Sequence, residues 1–141
     1  MKKRNWKRSN FTLIEVVVVI IILVTLASIA TPIYLNYVKK ANVGAATTQI
    51  KLLEDAVTGY KLDVGSYPET LNGLVENVDQ SEKWDGPYIK PAVPKDPWGN
   101  QYIYTCPGEH SNDFDLVSYG ADGQPGGTGE NADITNYVEN Q

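Results

Sequence analysis

The chain has 141 residues, 17 acidic and 12 basic side chains, a formal net charge of −5 and a single cysteine, Cys106. That length holds one small domain with an appendage. The acid excess excludes a nucleic-acid footprint, which needs a basic face, and one cysteine excludes an intrachain disulfide or a Cys-based zinc centre.

The charges are unevenly placed. Residues 1–10 carry Lys2, Lys3, Arg4, Lys7 and Arg8 and no acid; the remainder has seven basic and seventeen acidic residues, a formal charge of −10. That balance suits an extracytoplasmic or cation-binding body. Every residue from Val16 to Val24 is apolar, and the stretch extends to Ala30 with only Thr25 and Ser28 interrupting it. Basic residues just before such a run mark its cytoplasmic end. The β-branched run Val16–Ile22 favours a strand in water, but inside a bilayer the backbone must satisfy itself, which predicts a helix. Phe11–Ala30 as a helix spans about 30 Å, enough to cross.

Glu15 stands at the head of this run, where a charge is expensive and calls for a partner. A secretory signal ending at Ser28-Ile29-Ala30 is an alternative reading. Against it stand Glu15 and an amphipathic pattern that continues past Ala30. Pro32 is expected to kink the helix or open a turn.

Ala46, Ile50, Leu53, Val57 and Tyr60 recur at spacings of four and three, one face of a helix. Lys39-Lys40 mark the exit from the apolar zone, and Gly65 with Tyr67-Pro68 stops the helix near Leu62–Gly65. The element is either one helix from Phe11 to about Leu62 or two helices broken at Pro32. Next come a short helix within Ser66–Asn77, an aromatic loop at Trp84–Tyr88 and a turn at Pro94–Asn100. Strands are expected at Gln101–Cys106 and Phe114–Tyr119. Two or three antiparallel strands over the amphipathic face, burying Ile50, Leu53 and Tyr60, give an α+β fold. The Trp and Tyr residues read as core anchors and Cys106 as a small buried hydrophobe. The organisation is a basic leader over 1–10, an apolar half-helix over 11–40 and a globular domain over 41–141.

Ala121–Asn136 is an acidic, glycine-rich loop. Glycine permits its sharp turns, and Asp122, Glu130, Asn131 and Asp133 offer hard oxygen ligands. Calcium takes six to eight oxygens from carboxylates, amides and carbonyls. The spacing is not that of an EF-hand, and composition alone favours a solvated surface loop. His110 is the only histidine. Beside Glu109 it lacks any nucleophile constellation, so Pro107–His110 reads as structural, and no enzymatic activity is expected.

Phe11-Thr12-Leu13-Ile14-Glu15-Val16 after a short basic leader resembles the prepilin-type (class III) signal of type IV pilins and type II secretion pseudopilins. Asp96-Pro97-Trp98-Gly99-Asn100-Gln101-Tyr102, Pro107-Gly108-Glu109-His110 and Ser118-Tyr119-Gly120-Ala121-Asp122-Gly123 are similar to segments of the major pseudopilins, the G-type subunits of type II secretion. The resemblance covers nearly the whole chain. It implies a pilin fold, a long N-terminal helix packed on a small antiparallel sheet with an ordered C-terminal loop. It also implies cleavage between Asn10 and Phe11 by a prepilin peptidase, N-methylation of Phe11, and Glu15 as the registry residue that meets a neighbour's N-terminus. The family has Gly where this chain has Asn10.

Further implied are a homo-oligomeric helical filament, minor pseudopilins, and an inner-membrane assembly platform with its ATPase. The chain is then a single-pass inner-membrane protein whose C-terminal domain lies in the periplasm. The resemblance assigns structural calcium to the glycine loop. Asp122 and Asp133 would ligate through side chains and Tyr119 and Gln124 through carbonyls, with Thr128, Glu130 or Asn131 completing the cage. A type IV pilin or DNA-uptake pseudopilin is the neighbouring reading, weakened because one cysteine cannot close the usual C-terminal disulfide loop. A secreted calcium-binding module cut after Ala30 is the reading from another class.

Overall fold

The computed structural model describes residues 11–110 and 113–138; the leader and Asn10 lie outside them. The chain divides into two compact units, Met1–Val38 and Lys39–Gln141.

Helix α1 runs from Leu13 to Val64 and contains Pro32 without ending there. Of the two readings of the segment, the single helix is the one observed. Its hydroxyl residues satisfy themselves: Thr25 Oγ1 donates to the carbonyls of Ile21 and Ile22, Ser28 to Thr25, and Thr31 to Ala27. These bonds hide the polar atoms of an otherwise apolar surface. The helix stops where the sequence signals it. Gly65 takes φ +94°, and its N–H bonds the Lys61 carbonyl at 2.8 Å, capping an orphan acceptor.

In the second unit, Ala46, Ile50, Leu53, Val57 and Tyr60 form the buried face of α1. A 3-10 helix, Leu71–Leu74, supplies Leu71 and Leu74. Strands β1 (Ile103–Thr105), β2 (Asp115–Ser118) and β3 (Ile134–Thr135) form an antiparallel sheet in the order β1-β2-β3. Tyr104 pairs with Leu116 and Ser118 with Ile134. Tyr102, Phe114 and Leu116 join Ile50, Leu53, Val57, Tyr60, Leu71 and Leu74 in one buried cluster. Fully burying an aliphatic or Phe side chain contributes about 1.5–3 kcal/mol. Three strands fall within the two or three expected, but the position of β3 was not assigned from the sequence.

Several aromatic side chains of the second unit bury their rings and spend their polar tips on nearby acceptors. Trp84 Nε1 donates to the Gly73 carbonyl at 2.9 Å, Tyr104 to the Pro68 carbonyl at 2.9 Å and Tyr60 to Asp79 at 2.8 Å. Burial, aided by Asp79, pushes the Tyr60 hydroxyl up to about 12. Tyr34 and Tyr37 are exposed, so core anchoring holds only for the aromatics of the second unit.

Cys106 is exposed, not buried. It falls one residue beyond β1, and its thiol lies 3.7 Å from the Asp113 carbonyl on the open side of the turn.

β2 is buried along its whole length, so its polar residues need partners. Asp115 Oδ2 accepts from the backbone N–H of Glu109 and of His110 and lies 2.8 Å from His110 Nδ1. Burial pushes the Asp115 carboxyl up, but the His110 ring and these N–H groups outweigh it, and the net shift is downward. His110 therefore serves the Pro107–His110 turn, with Asp115 as its ring partner.

Candidate functional site

Two regions carry the residues singled out by sequence. The first is the start of α1. Thr12 N–H points to Glu15 Oε2 at 3.4 Å, while Glu15 N–H bonds Thr12 Oγ1 at 3.3 Å. This reciprocal pair is a capping box, satisfying two orphan donors of the first turn. Sequence reasoning missed Thr12, although the Thr-x-x-Glu spacing before an apolar run is the signal for it. A carboxylate three residues into a helix also faces the positive end of its dipole. Phe11 and Glu15 are both exposed.

Beyond Glu15 the apolar side chains of the first unit, from Val16 to Val38, are exposed on all sides of the helix. Helix α1 is long and apolar enough to cross a membrane.

The second region is the glycine loop. Gly120, at φ +64°, opens it from the end of β2. A Cβ there would lie 2.6 Å from the Glu130 carbonyl oxygen and 3.0 Å from that of Ala132, so only glycine lets the two limbs meet. Ala121 N–H closes the contact on the Glu130 carbonyl at 2.9 Å. Asp133 accepts the Gly126 N–H with both carboxylate oxygens, at 2.9 and 3.0 Å. Asp122 Oδ1 accepts from Gln124 N–H at 3.1 Å, and Asn131 N–H bonds the Thr128 carbonyl at 3.2 Å.

The loop thus ties Tyr119–Ala121 to Glu130–Ala132 and Gly126 to Asp133. Glu130 spends its carboxylate elsewhere, on Lys39 Nζ at 3.0 Å. Among the described residues no three His, Cys, Asp or Glu side chains gather as a metal cluster. The donors the loop offers are two carboxylates with unspent lone pairs, a hydroxyl and backbone carbonyls, all hard oxygens. Their chemistry fits a calcium-type ion held largely by main chain, not a transition metal.

Asp96 and Asn100 were read as parts of a turn and of a family-like segment, with no role of their own. Asp96 is buried; its Oδ1 accepts the N–H of Trp98 at 3.1 Å and of Asn100 at 2.7 Å, and its Oδ2 accepts Ser118 Oγ at 2.7 Å. Asn100 Nδ2 donates to the Gly120 carbonyl at 3.0 Å. An acid accepting main-chain N–H groups two and four residues on is the signal that was available.

Comparison with known proteins gives one answer. The family model described as "Type II secretion system (T2SS), protein G" matches residues 33–137. The chain is 45% identical to the type II secretion system core protein G of Vibrio cholerae, over 97% of this chain and 96% of that one. It is 42% identical to the core protein G of Pseudomonas aeruginosa, over 97% and 99%. The crystal structure of the major pseudopilin from the type 2 secretion system of enterohaemorrhagic Escherichia coli superposes with a TM-score of 0.55 at 33% identity. It covers 69% of this chain and 87% of that one.

Proposed function

This chain belongs to the type II secretion system protein G family, the major pseudopilins, and on that premise we propose that it is the repeating subunit of a periplasmic filament. The family is one of structural subunits, not enzymes. In this reading α1 is held in the inner membrane until subunits stack, with their apolar helices forming the filament core. Growth of the filament then pushes folded proteins toward an outer-membrane exit. A prepilin peptidase cuts before Phe11 and methylates it. Minor pseudopilins, a membrane platform and its ATPase are the partners.

The observation that carries the proposal is the helix surface. The apolar side chains between Val16 and Val38 are exposed on all sides of the helix. Such a surface is unfavourable in water by roughly 25 cal/mol per Å²; lipid or further copies of the helix remove that cost. A cut after Ala30 would divide α1, which runs on unbroken to Val64. Glu15, the acid at the head of that surface, would pair with the N-terminal ammonium of a neighbour. In the assembled core an unpaired carboxylate is costly, which fixes the register.

Calcium at the glycine loop is part of the same proposal. Asp122 and Asp133 would hold it with the Tyr119 and Gln124 carbonyls, and Thr128 or Asn131 would complete the shell. The ion would neutralise and fasten the loop so that neighbouring subunits can pack against it.

N-terminal sequencing and mass measurement of the protein purified from membranes test the reading. A methylated Phe11 supports it, whereas Thr31 or Met1 as the first residue would overturn it.

A further inference from the structure

We infer that Asp96 and Asn100 are positioning residues that pre-set the two peptides flanking Gly120, Asp96 through Ser118 and Asn100 directly, for capture of a divalent cation by the glycine loop. The inference rests on the calcium reading above and goes beyond it, because neither residue is a ligand.

Four groups form a closed ring of hydrogen bonds. Ser118 Oγ donates to Asp96 Oδ2 at 2.7 Å and accepts the Gly120 N–H at 3.3 Å. The Gly120 carbonyl accepts Asn100 Nδ2 at 3.0 Å, and Asn100 N–H returns to Asp96 Oδ1 at 2.7 Å. A second bond between the same two residues, Asp96 N–H to the Asn100 carbonyl at 2.9 Å, stiffens the turn. Asp96 and Ser118 are 4% and 0% exposed, so water does not compete for their pairing.

The consequence for the main chain follows from peptide planarity. In a trans peptide the N–H and the preceding C=O point in opposite directions. Gly120 N–H is directed to Ser118 Oγ, so the Tyr119 carbonyl must point away from Ser118. On the other side of Gly120, the carbonyl is held by Asn100 and the next N–H, that of Ala121, by the Glu130 carbonyl at 2.9 Å. The Gly120–Ala121 peptide plane is therefore fixed at both ends, and the Tyr119–Gly120 plane at its N–H end, with no metal contributing. The Gly120 carbonyl is already engaged by Asn100, and the Tyr119 carbonyl, turned away from Ser118, is the one the calcium reading assigns as a ligand. Asn100 also packs near Gly123, where an added Cβ would lie 3.5 Å from its amide atoms. The side chain thus meets the loop at Gly120 and again at Gly123. A cation site whose carbonyls are oriented beforehand binds more tightly, because ordering is not subtracted from the binding energy.

The test uses the full chain in detergent, with terbium(III) luminescence and its displacement by calcium. Asn100→Ala and Asn100→Asp are compared with wild type and with Asp122→Ala. Positioning predicts that both Asn100 variants bind about five- to tenfold more weakly, a loss of the size one hydrogen bond carries. Asn100→Asp separates the alternatives. It keeps the shape and adds a negative charge near the cation but cannot donate to Gly120. Wild-type or tighter binding by either variant overturns the inference while leaving the calcium reading intact. Absence of binding by wild type overturns both.

Hydrogen exchange of the wild type in chelator guards against misfolded variants. Slow exchange at Gly120 and Ala121 without metal supports the pre-set peptide, and rapid exchange there overturns it.

Discussion

His110 lies flat on Tyr137, their rings 4.1 Å apart and 5° from parallel, while its Nδ1 sits 2.8 Å from Asp115 Oδ2. One side chain thereby joins the turn after β1, the buried central strand and the residues that follow β3. The whole arrangement hangs on the Asp115 carboxylate, and its stability should follow that group's charge.

The fold holds the Asp115 carboxyl below its ordinary value of 3.8. A carboxyl depressed in the folded state adds stability above the unfolded value and loses it as pH falls through the folded one. Chemical denaturation followed by tryptophan fluorescence should show this contribution undiminished above pH 4 and shrinking below it. Asp115→Ala, which leaves three donors without their acceptor, should cost about 2–3 kcal/mol at neutral pH. Equal stability of variant and wild type at pH 7 would show that the acceptor is dispensable.

Gly120→Ala should be among the most damaging single-methyl changes in the second unit. It forces a side chain into φ +64° and sets a Cβ 2.6 Å from the Glu130 oxygen. Left-handed backbone and overpacking together predict about 2–4 kcal/mol, read as a lowered melting temperature. Gly99, at φ +93° but with nothing within 4 Å, isolates the backbone part. Gly99→Ala should cost less than half as much.

Glu15 has a role inside its own chain and a proposed one between chains, and substitution separates them. Glutamine works at the third position of a capping box but carries no charge. Glu15→Gln should insert and keep its helix start, yet yield few filaments by electron microscopy, as should Glu15→Ala. Normal filaments from the glutamine variant would reduce Glu15 to a cap.

Calcium bound only to the folded state stabilises by about 2.7 kcal/mol at a hundredfold excess over Kd. Chelation should lower the melting temperature of wild type, and Asp122→Ala should lower it equally and abolish the response to chelator. A melting temperature indifferent to calcium would remove the ion from the proposal.

The elements legible in the sequence were those with a period or a punctuation mark. The four-three spacing from Ala46 to Tyr60 gave the buried face of α1, and Gly65 gave its end. Gln101–Cys106 and Phe114–Tyr119 contain β1 and β2. β3 has two residues, too few for alternation, and owes its place to Asn136. That side chain accepts from Leu116 N–H at 2.8 Å and donates to the Phe114 carbonyl at 3.2 Å, continuing the pairing where the strand ends.

At the loop, residue types suggested an ion, but the sequence held no sign that Glu130 is drawn to Lys39, ninety-one positions away. Long-range polar partners leave no local period. The Thr12–Glu15 box, by contrast, is local, and its Thr-x-x-Glu spacing before an apolar run is legible in the sequence.

The inward-turned hydroxyls of Thr25, Ser28 and Thr31 have a consequence for traffic. A segment whose polar atoms are already bonded to its own carbonyls offers neighbours no grip and demands none. Lipid tails and a sister helix are to it nearly the same solvent, so passing from one to the other meets little toll in either direction. In the proposed filament, the balance between lipid and assembly is then set by the groups at the two ends of the helix.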